Sequence, residues 1–263
     1  TTLLEPSFNK VFREEGENCP ESILELQCTA NAQYPQSNEV GSQFAQVQGV
    51  RGSGQWDLGW GWNCPTQLLA DAFEAGDPRK NETLLYFAKS EAEAATMQPN
   101  TPYNEKPIAA SNVVNKYYNK KAYTNPALRN TYSKAGHWFN IRLIRYSDVL
   151  LMAAEAANEL GNSAQALVYL EQVRARARAG NNAILPAVTT TVQSELRDAI
   201  RHERRVELAM EFDRFYDLVR WNIDVETLHN AGKTAYQTKH RLLPLPQAQI
   251  DRSNGVLIQN PNY

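Results

Sequence analysis

The sequence predicts a mainly α fold: a tetratricopeptide-like helical hairpin plus further helices, joined by long irregular loops and a few short strands. Three observations predict it. Ala- and Leu-rich segments with helical spacing fill residues 142–179. A densely charged segment follows at 196–221, and the first half is instead broken repeatedly by Gly, Pro, Asn and aromatic residues. At 263 residues, 42% hydrophobic and 21% charged, the chain can bury a large core. We divide it into a loop-rich, aromatic candidate ligand-binding region at 1–136 and a helical scaffold at 137–263.

In the first region, Ile23-Leu24-Glu25-Leu26-Gln27 reads as a short strand, and Gly49 to Trp62, GVRGSGQWDLGWGW, as a glycine-rich aromatic loop. Thr66 behind Pro65 is placed to cap a helix with Leu68, Leu69, Ala72 and Phe73 on one face, which Gly76-Asp77-Pro78 stops. Residues 80–136 are read mostly as loop, with a strand around Leu84 to Phe87 and scattered tyrosines at 103, 117, 118 and 123.

In the second region, Arg142 to Gly161 predicts a helix ending at Gly161-Asn162. Ser163 then caps a helix that carries Leu167, Leu170, Val173 and Ala177 on one side and ends at Gly180. The two make an antiparallel hairpin at 142–179 like one tetratricopeptide unit, with Ala153, Ala154, Ala156 and Ala157 allowing close approach. Only one clear copy is present, so either a missing segment or other helices must cover its faces.

The segment Leu196 to Trp221, LRDAIRHERRVELAMEFDRFYDLVRW, is read as one helix. Arg197, Arg201 and Arg205 recur every fourth residue, as do Glu203, Glu207 and Glu211. Like charges at that spacing repel by about 0.2 to 0.5 kcal/mol per pair in an isolated helix. Both ladders share their sides with apolar residues, so no clean polar face exists. Such a helix is surrounded by protein, with its charges paired to other elements. An active site built on these carboxylates is the competing reading, and the equal number of arginines favours structural pairing.

Several function classes fail on residues. The net charge of −2, from 27 basic and 29 acidic residues without long single-sign blocks, offers no broad cationic surface for nucleic acid or anionic lipid. No apolar run reaches the length of a spanning helix. Cys19, Cys28 and Cys64 lack metal-ligand spacing; Cys19 and Cys28 could pair, but free packed thiols are favoured. His202-Glu203 lacks the second histidine of HExxH, Gly49, Gly52 and Gly54 do not make GxGxxG, and no GxSxG elbow occurs. No cofactor or metal is expected.

The charged segment 196–221 closely resembles the signature helix of the SusD/RagB family, and the resemblance continues along the chain. Asn18-Cys19-Pro20-Glu21-Ser22-Ile23 with Leu24-Glu25-Leu26 is similar to the family's NxxEsIfei segment. Pro65-Thr66-Gln67 through Asp77-Pro78-Arg79 resembles its PTQ to DPR stretch, and Arg145 to Ala156 its RyaDvLLmyAEA helix. Leu243-Pro244-Leu245-Pro246 and Gln259-Asn260-Pro261-Asn262-Tyr263 resemble its PIP and QNPgY ending. The resemblance implies a non-enzymatic lipoprotein on the outer-membrane surface of a Bacteroidetes-type bacterium. It would capture oligosaccharides and hand them to a SusC-like TonB-dependent transporter. Family members are longer, so the chain is read as a C-terminal portion that would meet the membrane only through an N-terminal lipid anchor it does not contain.

Sugars present flat apolar faces edged with hydroxyls, so a glycan site needs aromatic platforms beside amide, carboxylate or guanidinium groups. The loop 51–62 offers both. Trp56 is the first candidate, with Trp60, Arg51, Gln55 and Asp57 around it and Tyr34, beside Gln33, on the preceding polar segment. The alternative makes Trp60 and above all Trp62 core residues packed on the Pro65 helix. A tetratricopeptide-type peptide-binding module and, behind it, a glycoside hydrolase with two facing carboxyls remain competing functions.

Overall fold

A computed structural model describes residues 2–29, 41–95, 103, 112–133 and 135–263. Its regular structure is mostly helical, with four short strands among the described residues. The elements of the first half are short: strand β1 (Ser22–Leu26), helices α1 (Phe44–Gln48), α2 (Gln67–Ala70) and α3 (Arg79–Thr83), strand β2 (Leu84–Tyr86), helix α4 (Glu91–Ala95), strand β3 (Tyr117–Asn119) and helix α5 (Pro126–Thr131). The Asn125 side chain caps α5 by accepting from Ala127 N. β2 and β3 pair antiparallel, with Leu85 opposite Tyr118. That face of the pair is sealed by Val50, Trp56, Phe87, Val113 and Tyr123.

Residues 142–145, expected as the start of a helix, belong to strand β4 (Ile141–Arg145), and helix α6 begins only at Tyr146 and runs to Glu159. β4 pairs antiparallel with β1, setting Leu24 opposite Ile144 and Leu26 opposite Ile141. This small sheet is inverted: Arg142 and Arg145 point inward, whereas Leu24, Leu26 and Leu143 are about half exposed. A strand whose buried side is charged has no hydrophobic alternation facing the core, which is why its pattern misleads.

Helix α7 (Ser163–Arg178) returns antiparallel to α6 across Gly161, whose φ of +78° makes it the left-handed stop that the sequence marks. The cap of α7 is Asn162 rather than Ser163, through Gln165 N to Asn162 Oδ1 at 3.2 Å. Leu150, Leu151 and Ala154 of α6 meet Ala166, Leu170 and Val173 of α7, and Leu196 and Ile200 of helix α8 (Gln193–Glu207) close the cluster. Each fully buried leucine there contributes about 1.5 to 3 kcal/mol of transfer free energy.

The helix expected over 196–221 is two helices. α8 ends at Glu207, and α9 (Arg214–Arg220) starts after a turn in which Met210 and Phe212 hold φ of +70° and +82°. Side chains rarely tolerate that region, at a cost of about 1 to 3 kcal/mol each. The charge ladder explains what holds the turn. Glu203 binds Arg79 and Arg174, Glu207 binds Arg79, Arg145 and Arg176, and Glu211, beyond the helix, binds Arg145 at 2.6 Å and Lys121 at 2.5 Å. Glu21 joins the cluster through Arg145 and Arg176. The arginine ladder also finds partners elsewhere: Arg197 pairs with Glu159 and Arg205 donates to the Leu68 carbonyl.

The described chain forms two compact units, Thr1–Glu211 and Phe212–Tyr263. The second contains α9, α10 (Asp224–Asn230) and α11 (Gln247–Arg252). Within it Arg241 and Tyr236 converge on Asp224, whose carboxyl is pulled down to about 2 chiefly by the Arg241 hydrogen bond. The Gln259 amide accepts from Leu245 N at 2.8 Å and donates to Leu245 O at 2.9 Å. This clip joins the Leu-Pro-Leu-Pro segment to the Gln-Asn-Pro ending.

Candidate functional site

The loop after α1 is built by close backbone approach. Leu58 N and Gly59 N both donate to Val50 O, Trp60 N to Gln46 O, Gly61 N to Gly49 O and Trp62 N to Val47 O, all within 3.0 Å. A side chain on Gly59 would sit 2.1 Å from Gln46 O, and one on Gly49 would sit 2.6 Å from Leu58 O. Only glycine lets these two backbones touch. The segment carrying Trp60 and Trp62 is thereby fastened by five hydrogen bonds from successive loop residues to α1 and the two residues that follow it.

On that fastened segment, Trp60 and Trp62 lie two residues apart and project as a pair, ring centroids 5.0 Å apart and planes 56° apart. Trp60 is 37% exposed and Trp62 59% exposed. The reading that packed Trp62 into the core is therefore corrected: across Gly61, whose φ of +68° turns the backbone, both rings reach solvent and contact one another. Arg51 is exposed, and its stem runs beside Gly61, where an added Cβ would lie 2.8 Å from Arg51 Cβ. Its backbone bridges to that of Asp57, which is exposed, as is Gln55.

Trp56 takes the opposite position. It is 5% exposed, edge-on to Phe87 at 4.8 Å, and packed with Val50, Leu85 and Tyr118. Its ring faces are occupied by protein, so it is a core residue and not an open stacking platform. Gln55, Trp56, Asp57 and Leu58 do, however, border a cavity of about 370 Å³ whose other wall is the start of α5. Tyr34 and Gln33 lie outside the described residues. Of the other tyrosines, Tyr118 and Tyr123 are buried, Tyr117 donates to Gln67 Oε1, and Tyr103 donates to Glu14 Oε2 at 2.6 Å.

Cys64 follows the platform. Its thiol donates to Gly61 O at 3.1 Å, and burial pushes its pKa up. The three cysteines are free. Among the described residues no cluster of His, Cys, Asp and Glu has metal-site geometry, and no helix is long and apolar enough to cross a membrane.

The SusD family model matches residues 20–263. The chain belongs to the SusD family. It is 30% identical to SusD-like protein P2 of Formosa agariphila, over 99% of this chain and 52% of that protein. SusD-like protein P25 of the same organism is 37% identical over 47% of this chain and 24% of its own length. Among solved structures, surface glycan-binding protein A from Bacteroides thetaiotaomicron superposes with a TM-score of 0.74 at 24% identity, over 99% of this chain and 55% of that one, a likeness of fold. A laminarin-binding SusD-like protein gives 0.73 at 27% identity, over 99% and 54%. This SusD-family chain thus spans about half the length of the proteins it matches.

Proposed function

We propose that this chain forms part of a non-catalytic glycan-capture protein. In its whole form it would be held at the outer-membrane surface by a lipid anchor and pass oligosaccharides to a SusC-like TonB-dependent transporter. The observation that carries the reading is the Trp60–Trp62 pair: two exposed indoles on a hydrogen-bonded, glycine-docked segment, flanked by a guanidinium, a carboxylate and an amide. A rigid platform loses little entropy when a sugar stacks on it. The binding of laminarin by a family relative supports the same reading.

Binding is preferred to hydrolysis because the carboxylates of the signature segment are committed. Glu203, Glu207 and Glu211 are each held by at least two cationic side chains, whereas a glycosidase needs an acid and a base facing a common cleft. The test is affinity electrophoresis through gels containing laminarin, then other β-glucans, mannans, galactans and xylans. Retardation in at least one gel with no release of reducing ends is expected. Free migration in every gel, or turnover of the retained glycan, would overturn the proposal.

A further inference from the structure

The cavity beside the tryptophan loop has features that the platform alone does not use. Its volume of about 370 Å³ falls in the range of small-ligand pockets. Gln55, Trp56 and Asp57 form one wall, and Tyr123, Arg129 and Asn130 face them from the approach to α5 and from α5 itself. Trp56 is buried, yet its indole N–H has no hydrogen-bond acceptor among the described residues. Buried donors are nearly always satisfied, so an unmet one on a residue that borders a polar cavity points to an acceptor supplied from outside.

The charges narrow what that acceptor belongs to. Arg129 donates to the Thr124 carbonyl and to Tyr123 Oη, the latter at 3.1 Å, and its guanidinium lies 4.6 Å over the Tyr123 ring. This cation is used by its own neighbours, and the Asp57 carboxylate offsets its charge. A uronate or sulfate entering here would meet a carboxylate and, among the described residues, no uncommitted cation, which penalises it. The Gln55 and Asn130 amides, both exposed, each donate and accept, which suits vicinal hydroxyls.

Resting on the glycan-capture reading, we propose that this cavity is a second saccharide subsite. It holds one neutral sugar residue, with Gln55 and Asn130 on its hydroxyls and the Trp56 N–H on an oxygen, while residues further along the glycan stack on Trp60 and Trp62.

The subsite is tested by titration calorimetry with neutral hexasaccharides of β-glucan, mannan, galactan and xylan, and with uronate and sulfated oligosaccharides. The wild type is compared with Gln55→Ala/Asn130→Ala, with Trp56→Phe, and with Trp60→Ala as a reporter of the platform. The expected result is a neutral oligosaccharide as tightest ligand, about a tenfold loss in Gln55→Ala/Asn130→Ala at unchanged melting temperature, and a loss in Trp56→Phe that exceeds any change in its folded fraction. A loss under threefold in the double variant while Trp60→Ala abolishes binding overturns the subsite and leaves glycan capture standing. An acidic oligosaccharide as tightest ligand also overturns it. Binding of no panel member by the wild type removes glycan capture and subsite together.

Discussion

At the scale of the residue, Glu207 shows most clearly how this chain uses charge. It is fully buried, and burial alone would raise its pKa, but Arg176, Arg145, Arg79 and Lys121 hold it far below the usual carboxylate range. Glu207→Gln leaves guanidinium groups buried with an incomplete partner, a loss of about 3 to 5 kcal/mol in urea unfolding. Lys121 is pushed down as well, to about 8, which favours its neutral form, first by burial and then by the neighbouring Arg145, with Glu211 opposing. The tryptophans divide sharply. Trp56→Ala should cost about 3 to 5 kcal/mol because its ring fills the core, whereas Trp60→Ala and Trp62→Ala should leave the melting temperature nearly unchanged. Composition places three tryptophans in one loop, but which of them faces inward depends on Phe87, Leu85 and Tyr118, distant in sequence.

At the scale of the element, the hairpin α6–α7 was legible because its signals are local: apolar spacing, small residues and a glycine stop. The strand β4 was not, since its identity rests on pairing with β1, more than a hundred residues earlier, and its inward residues are Arg142 and Arg145. The break after α8 was hidden for a similar reason. Continuing the helix would keep Glu211 on the Glu203–Glu207 ladder, whereas in the fold Glu211 turns to Arg145 and Lys121. The ladder itself was legible as a demand for partners, though not which partners. The tryptophan loop makes its own prediction. Gly59→Ala puts a methyl group 2.1 Å from the Gln46 carbonyl oxygen, so the loop must leave α1. Sugar binding should fall at least tenfold, about 1.4 kcal/mol, and protease cleavage within 49–62 should accelerate while the α6–α7 amides keep their hydrogen-exchange protection.

At the scale of the whole molecule, the buried ion cluster ties α3, β4, α7, α8 and the segment before β1 into one acid-sensitive centre. Glu207 and Glu211 both ionise more readily folded than unfolded, each against burial, through their arginine and lysine partners. Their contribution is therefore complete above about pH 5, where unfolded glutamates are also ionised, and is lost as pH falls toward the depressed folded values. The urea midpoint should hold from pH 7 to 5 and drop steeply below it, and Glu207→Gln should flatten that drop. A midpoint independent of pH down to 3 would show the cluster to be energetically silent. Family membership was legible because the motifs in question are scaffold: Glu203, Glu207, Arg145 and Asp77 meet in this cluster through Arg79 and Arg145 themselves. Ligand choice was not: in the proposed reading it resides in loops that the scaffold supports.

In the proposed reading, sugar is captured on the exposed indole pair. The most direct test is calorimetric titration of the best-retained glycan into the wild type and into Trp60→Ala/Trp62→Ala, with circular dichroism and melting temperature followed in parallel. Loss of measurable binding at an unchanged fold is the predicted result; affinity within twofold of wild type in the folded double variant would contradict it.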